Sequence, residues 1–257
     1  MSAEAIPAAT LVVMRERSGG PPDLLMVERT ARMAFAGGAM VFPGGRIDDA
    51  DRAHAEASGA PDAAFRIAAI RETLEESGIP VGIEPLIDAS LAAEMQGALH
   101  GGAAFAKLLD RHGRTLDLEA LTPFARWKPA FHQARIFDTL FFLAEAPRGD
   151  WQPLPQPGEC EAVEWLSAGA VLDRIAQGRA TAIFPTLRNL ERLAQFDSIA
   201  AARADAEAHP IETITPWIGD HAGEPHLFIP DGLGYPVTRE PLESVRRGVG
   251  EGIFPAA

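Results

Sequence analysis

Three carboxylates, Glu72, Glu75 and Glu76, stand in the run Arg71-Glu72-Thr73-Leu74-Glu75-Glu76-Ser77-Gly78-Ile79. Residues three and four apart on a helix share a face, so this spacing gathers the acids on one side. Ala63, Ile67, Ile70 and Leu74 recur at helical spacing on the other. The expectation is an amphipathic helix with the apolar stripe packed inward and the carboxylates turned to solvent. Like charges at this spacing cost a helix a few tenths of a kcal/mol per pair. Arg71, four residues before Glu75, offsets part of that cost, and a divalent cation would offset more. Mg²⁺ prefers one or two carboxylates, several retained waters and substrate phosphates, which suits such a face. A solvated acidic surface holding no metal is the competing reading.

Several elements must position these acids. Gly78 and Pro80 stop the helix, and Asp62 is a candidate N-cap at its start. Before it, Pro43-Gly44-Gly45 forms a tight loop, and residues 49–62, small and polar, read as an inserted loop. Residues 6–14 and 23–28 are strand-like and joined by a Gly/Pro-rich turn, which predicts a hairpin. Residues 89–112 have helical composition, split by Gly101-Gly102. Residues 135–144 are apolar on both faces, as a central strand is. A strand over 159–166 follows, then a helix capped by Ser167 over 168–177 and another opened by Pro185 or Thr186. Beyond residue 197 the chain is helical, then Pro/Gly-rich; 226–230 could pair with a sheet edge, and a homodimer could form that pairing.

The chain of 257 residues is long enough for one large domain or a domain with additions. A formal net charge of −13 disfavours a broad grip on nucleic acid, which needs basic stripes. The lone Cys160 forms no intrachain disulfide and fits a reducing compartment. With no leader-like N-terminus and no long apolar run, the expectation is a cytoplasmic protein without membrane contact. His209, His221 and His226 do not stand at a zinc-binding spacing.

Arg71 to Ile79, with Gly45 before it, resembles the second half and opening of the Nudix box, Gly-x5-Glu-x7-Arg-Glu-U-x-Glu-Glu-x-Gly-U, where U is apolar. Thr73 stands where the box is apolar. Gly45 to Arg71 is about a dozen residues longer than the box allows. The box's first Glu has no clear equivalent: counting back from Arg71 lands on Ala63, and counting forward from Gly45 lands on Asp51. A second resemblance runs through Leu24, Leu25, Val27, Arg29, Thr30, Gly38, Val41, Phe42, Pro43, Gly44, Gly45 and Asp48. It is similar to the signature of Nudix enzymes that hydrolyse coenzyme A. The stretches Arg126-Trp127-Lys128-Pro129 and Arg135–Ala144 also resemble that subgroup.

The resemblance implies an α/β Nudix fold, a mixed sheet sandwiched between helices. It implies a hydrolase domain over 1–195, carrying the inserted loop 49–62 and a helical insertion at 89–112. Residues 196–257 would then be an extension packing on the domain or on a dimer partner. The implied reaction is divalent-metal-dependent hydrolysis of the diphosphate in coenzyme A or acyl-coenzyme A, giving 3′,5′-ADP and (acyl-)4′-phosphopantetheine. Hydrolysis of ADP-ribose, NADH or dinucleoside polyphosphates is the alternative activity, and a catalytically silent nucleotide-binding domain is an alternative of another class. By resemblance, Glu72 and Glu76 are direct ligands of Mg²⁺ or Mn²⁺. Glu75, paired with Arg71, completes the metal and catalytic set. The base comes from the box or from a later loop, where Glu159 and Glu161 are candidates, with Asp48 and Asp51 as further acidic candidates. Arg29 and Arg32 suit substrate phosphates, and the backbone at Gly44 and Gly45 permits close approach of metal or substrate.

Overall fold

Strand β1 (Ile6–Arg15) is the axis of the molecule, a computed structural model that describes residues 5–32, 36–56, 58–129 and 136–248. Leu11, Val12, Val13 and Met14 are all at most 1% exposed, so both faces of β1 are buried, as a central strand requires. β2 (Asp23–Arg29) returns antiparallel to it, with Met14 opposite Leu24, which is the expected hairpin. β3 (Met40–Val41) pairs with β2, and β4 (Gly44–Arg46) pairs with β1, Ala9 opposite Gly45. Two helices follow, α1 (Asp49–Ala55) and α2 (Ala63–Ser77). Next come β5 (Ile83–Glu84), α3 (Ala89–His100), α4 (Phe105–Arg111) and β6 (Thr115–Leu116). β7 (Thr122–Trp127) then leads to β8 (Phe137–Glu145), which runs parallel to β1 along its length. β9 (Cys160–Ser167) lies antiparallel to β2 and leads into α5 (Ala168–Ala176) and α6 (Phe184–Leu193). The Ser167 hydroxyl caps α5, as expected.

The sheet is mixed, in the order β10-β7-β8-β1-β2-β3 with β4 on β1 and β9 on β2; β10 (Thr213–Ile214) runs parallel to the edge of β7. Alternation along β1 divides the core. Leu11 and Val13 join Phe142 and Ala144 in packing under α2, α3 and α4, through Ile67, Ile70, Leu74, Met95 and Leu108. Val12 and Met14 join Phe124, Trp127 and Phe141 on the opposite face. There they meet α5, α6 and α7 (Ile199–Ala208). The result is the expected Nudix α/β sandwich.

Three local expectations differ. Residues 49–55 are helix, not loop. Asp48 accepts the Asp51 N–H at 2.8 Å while Asp51 accepts the Asp48 N–H at 3.1 Å, a reciprocal capping box that nucleates α1. Asp62 does not cap α2; its carboxylate is taken by Arg66 Nε at 2.8 Å, one turn on. The tail strand β12 (Glu224–Phe228) pairs with β11 (Trp217–His221) and β13 (Arg239–Pro241) in a small sheet of its own, so the main edge is extended by β10 instead. A final helix, α8 (Leu242–Gly248), packs its Val245 into the α5–α7 side of the core. Arg135 and the terminal Phe254–Ala257 lie outside the described residues. Among the described residues no helix is long and apolar enough to cross a membrane.

Candidate active site

α2 carries the acids at their predicted spacing, but not facing solvent. Glu76 is 3% exposed and Glu72 and Glu75 are half-buried. The helix is covered on both sides. Its apolar stripe meets the sheet, and its acidic face lies against β4 and the end of β2. There the Gly44 N–H donates to Glu76 Oε2 at 3.0 Å, and Arg29 reaches Glu76 Oε1 at 3.8 Å. A Cβ at Gly45 would overlap the Glu72 carboxylate, so glycine is what lets strand and helix approach here. Gly78, at φ +71°, closes α2 by donating to the Leu74 carbonyl. Thr73 is wholly buried with its hydroxyl donating to the Ala69 carbonyl at 2.7 Å, which is how a polar residue fits this apolar place. Gln96 of α3 fixes the end of α2 by donating to the Glu75 carbonyl at 3.0 Å.

Arg71 is the hub of the site. Its guanidinium donates to Asp51 through Nε at 3.0 Å and Nη2 at 2.8 Å, to Glu72 at 2.8 Å and to the Arg46 carbonyl at 3.1 Å. Glu75 lies 3.5 Å away. The expected Arg71–Glu75 pair is therefore longer than those to Asp51 and Glu72, with Asp48 more distant still at 3.9 Å, and the buried partner is Asp51, 2% exposed on α1. Of the two registers the sequence allows, the one counted forward from Gly45 sets an acid against Arg71. Burial alone would lower the Arg71 pKa, but the Asp51 hydrogen bond and the charges of Glu72 and Asp51 outweigh it and raise it.

The acids respond in the opposite way. Burial pushes Glu72 up to about 7, against the pull of Arg71 and with the push of Glu75. Burial and then Glu72 push Glu76 up to about 8, against the Gly44 N–H and Arg29. Burial also raises Glu75. Neighbouring Cys160 is pushed up to about 12, mainly by burial, and is no thiolate nucleophile.

Glu72 and Glu76 line a cavity of about 410 Å³. Arg29, Gly44, Gly45, Arg46 and Glu159 line it beside them, and Phe42, Phe141, Phe184 and Ile183 line its apolar part. Of the two expected bases, Glu159 lines the cavity. Glu161 is exposed and does not, because the β-bulge opposite Glu28 and Arg29 leaves it out of register. Arg32 is also exposed and outside the lining, while Arg29 is engaged with Glu76. The aromatic wall and Arg46 were not foreseen: Phe42 and Arg46 flank Gly44-Gly45, Phe141 lies on β8 and Phe184 opens α6, so no local pattern marks them as one surface.

Among the described residues no three His, Cys, Asp or Glu side chains converge as a closed metal cage. What is present is a pair of mutually repelling carboxylates one helical turn apart, Glu76 buried and Glu72 half-buried, with backbone close by. That fits an ion that takes one or two carboxylates and keeps water or phosphate for its other positions. Glu72 and Glu76 could hold such an ion.

No family model matches the chain. It is 27% identical over 259 residues to acyl-coenzyme A diphosphatase NUDT19 of Gallus gallus, covering 77% of this chain and 68% of that protein. It is similar in structure to a Nudix hydrolase from Alicyclobacillus acidocaldarius, with a TM-score of 0.70 and 28% identity over 79% of this chain and 97% of the other. Nudix hydrolases generally use divalent metals. With the box residues gathered on α2 against β4, the chain has the Nudix fold, is a hydrolase acting on pyrophosphate bonds, and resembles the coenzyme A diphosphatase subgroup of Nudix hydrolases.

Proposed function

We propose that this chain hydrolyses the diphosphate of coenzyme A or acyl-coenzyme A, with Mg²⁺ or Mn²⁺, releasing 3′,5′-ADP and (acyl-)4′-phosphopantetheine in the cytoplasm. The observation that carries the catalytic reading is the Glu72–Glu76 pair, lining the cavity and braced through Arg71 by Asp51. The substrate reading rests on the similarity to a named acyl-coenzyme A diphosphatase and on the Leu24–Asp48 signature.

A bound divalent ion would neutralise the diphosphate oxygens and lower the pKa of an attacking water. The chain's own residues do the rest. Glu72 and Glu76 would hold the ion, and Arg71 keeps Glu72 in place. The Gly44 N–H fixes Glu76, and Arg29 steadies its other oxygen. Glu159 is the cavity carboxylate that can take the proton from the water as it attacks phosphorus and the P–O–P bond breaks. Asp51 stands in for the acid missing from the box, which argues against a catalytically silent domain.

A second reading, hydrolysis of ADP-ribose, NADH or dinucleoside polyphosphates, is favoured by one observation. Neither Arg29, engaged with Glu76, nor Arg32, outside the lining, is poised for the 3′-phosphate that distinguishes coenzyme A. Arg46 is the exposed cation left on the cavity. The test is turnover of coenzyme A, its 3′-dephospho form and ADP-ribose, with and without Mn²⁺. A preference for coenzyme A that collapses in Arg46→Ala supports the first reading. Equal rates on both forms of coenzyme A with faster turnover of ADP-ribose establish the second.

A further inference from the structure

The C-terminal segment reaches the substrate cavity through one hydroxyl group. The Trp127 indole N–H donates to Tyr235 Oη at 3.0 Å, and that hydroxyl donates to Asn189 Oδ1 at 2.7 Å. Trp127 ends β7 and Asn189 lies on α6, so one phenol ties a sheet strand to a helix. Both elements bound the cavity: Trp127 from β7, and Phe184, Pro185 and Thr186 from the first turn of α6. The Trp127 ring stands edge-on to Phe184 at 5.9 Å and to Tyr235 at 5.6 Å. Trp127 is wholly buried and Phe184 2% exposed, so neither has freedom to adjust alone.

The Tyr235 loop is itself held tightly. Gly234, at φ +84°, lies so close to Arg192 that a Cβ there would overlap the guanidinium. Arg192 in turn donates to the Phe124 carbonyl of β7 at 3.1 Å and to Asp205 of α7 at 2.8 Å. Burial pushes the Tyr235 phenol up to about 12, so the hydroxyl keeps its proton.

We propose that Tyr235 is a positioning residue for substrate: by joining Trp127 to Asn189 it sets the separation of the two apolar walls that grip the non-phosphate part of the molecule. The proposal rests on the reading that this cavity takes the substrate. It assigns the C-terminal extension a part in specificity without contact with the reacting atoms.

Tyr235→Phe removes the hydroxyl and keeps the ring. It leaves the Trp127 N–H and the Asn189 carbonyl oxygen buried without that partner. KM should rise about threefold to tenfold, while kcat changes by less than about twofold. Imidodiphosphate, a non-hydrolysable pyrophosphate analogue, carries no apolar or nucleoside part for those walls to grip, so its inhibition constant should not move. KM is measured on whichever nucleoside diphosphate derivative the wild-type chain turns over best, and calorimetric affinity for ADP replaces it if none is turned over. The wild-type substrate ranking thus judges the activity, and the variant's KM or affinity judges Tyr235. An unchanged KM, or a KM and an imidodiphosphate constant that weaken together, would overturn the proposal. Asn189→Ala cuts the other end of the bridge and must reproduce the split should Tyr235→Phe fail to fold.

Discussion

Replacing Asp51 by Asn separates a structural hub from a surface ion pair. Asp51 is 2% exposed and accepts two hydrogen bonds from Arg71, at 3.0 and 2.8 Å. Asn keeps the volume and one oxygen for the capping box, but removes the charge and presents an amide to the guanidinium. Breaking a buried pair from one side costs about 3–5 kcal/mol. Arg71 still has Glu72 at 2.8 Å and Glu75 at 3.5 Å, which places the cost at the low end, about 3 kcal/mol. For a chain of this length that lowers the melting temperature by roughly 6–12 °C. Arg71 loses its anchor on α1, so Glu72 loses its orientation, and apparent metal affinity or rate should fall about 10- to 100-fold. Urea denaturation at constant m-value gives the first quantity, and Mn²⁺ titration of the initial rate gives the second. Asp48→Asn is the internal control. Its carboxylate is 55% exposed and 3.9 Å from Arg71, and Asn remains a good cap, so it should cost under about 1 kcal/mol. A loss below about 1 kcal/mol in Asp51→Asn, with unchanged metal titration, would refute the hub.

Glu76→Gln should lower kcat by orders of magnitude while leaving urea stability equal or higher, because the fold disfavours the ionised form of this buried carboxyl and Gln replaces it with a neutral group of the same shape; full activity would show that another ligand serves. Gly45→Ala should push the Glu72 carboxylate aside and weaken Mn²⁺ activation at least about tenfold, with a smaller effect on melting; an unaltered titration would contradict the close approach. In EDTA, stability should fall as pH rises. The folded pKa values of Glu72 and Glu76 lie above 4.5, at about 7 and about 8, so the native state holds the extra protons and loses that advantage between 4.5 and about 8. Adding Mg²⁺ should flatten this slope, and a metal-free protein that gains stability across the window would contradict the assignment.

The box helix was legible because its signals are local. Acid spacing, an Arg one turn before Glu75 and a Gly stop all lie within nine residues of one element. α1 was hidden by composition: Asp49-Ala50-Asp51-Arg52-Ala53-His54-Ala55 has no apolar stripe, and only the Asp48–Asp51 reciprocal cap, a pattern of two identical acids, marks its start. The burial of the acids was hidden for a different reason. A carboxylate face reads as a solvated face unless one knows what lies over it, and β4 is brought there by pairing with β1, a contact between distant residues. Arg29 shows the same limit. Its type suited phosphate, yet the register of β2 against β3 and β9 aims it at Glu76. Glu159 and Glu161 could not be separated from sequence, since the bulge opposite Arg29 decides which of them faces the cavity.

The charges around α2 explain why these contacts are arranged as they are. Asp48, Asp51, Glu72, Glu75 and Glu76 share the guanidiniums of Arg29 and Arg71. Arg71 is divided among four acids, and Arg29 reaches the fifth, Glu76, only at 3.8 Å. The cluster therefore carries an excess of negative charge in a buried place, and the raised pKa values of Glu72 and Glu76 express it. An anionic diphosphate would be repelled twice, by this cluster and by a chain of net charge −13. A divalent cation between Glu72 and Glu76 reverses the local sign, so the feature that repels the substrate becomes the one that holds the ion drawing it in. Asp51 matters to this balance by absorbing one side of Arg71. Without it, Arg71 would neutralise Glu72 more fully and weaken the attraction for the metal.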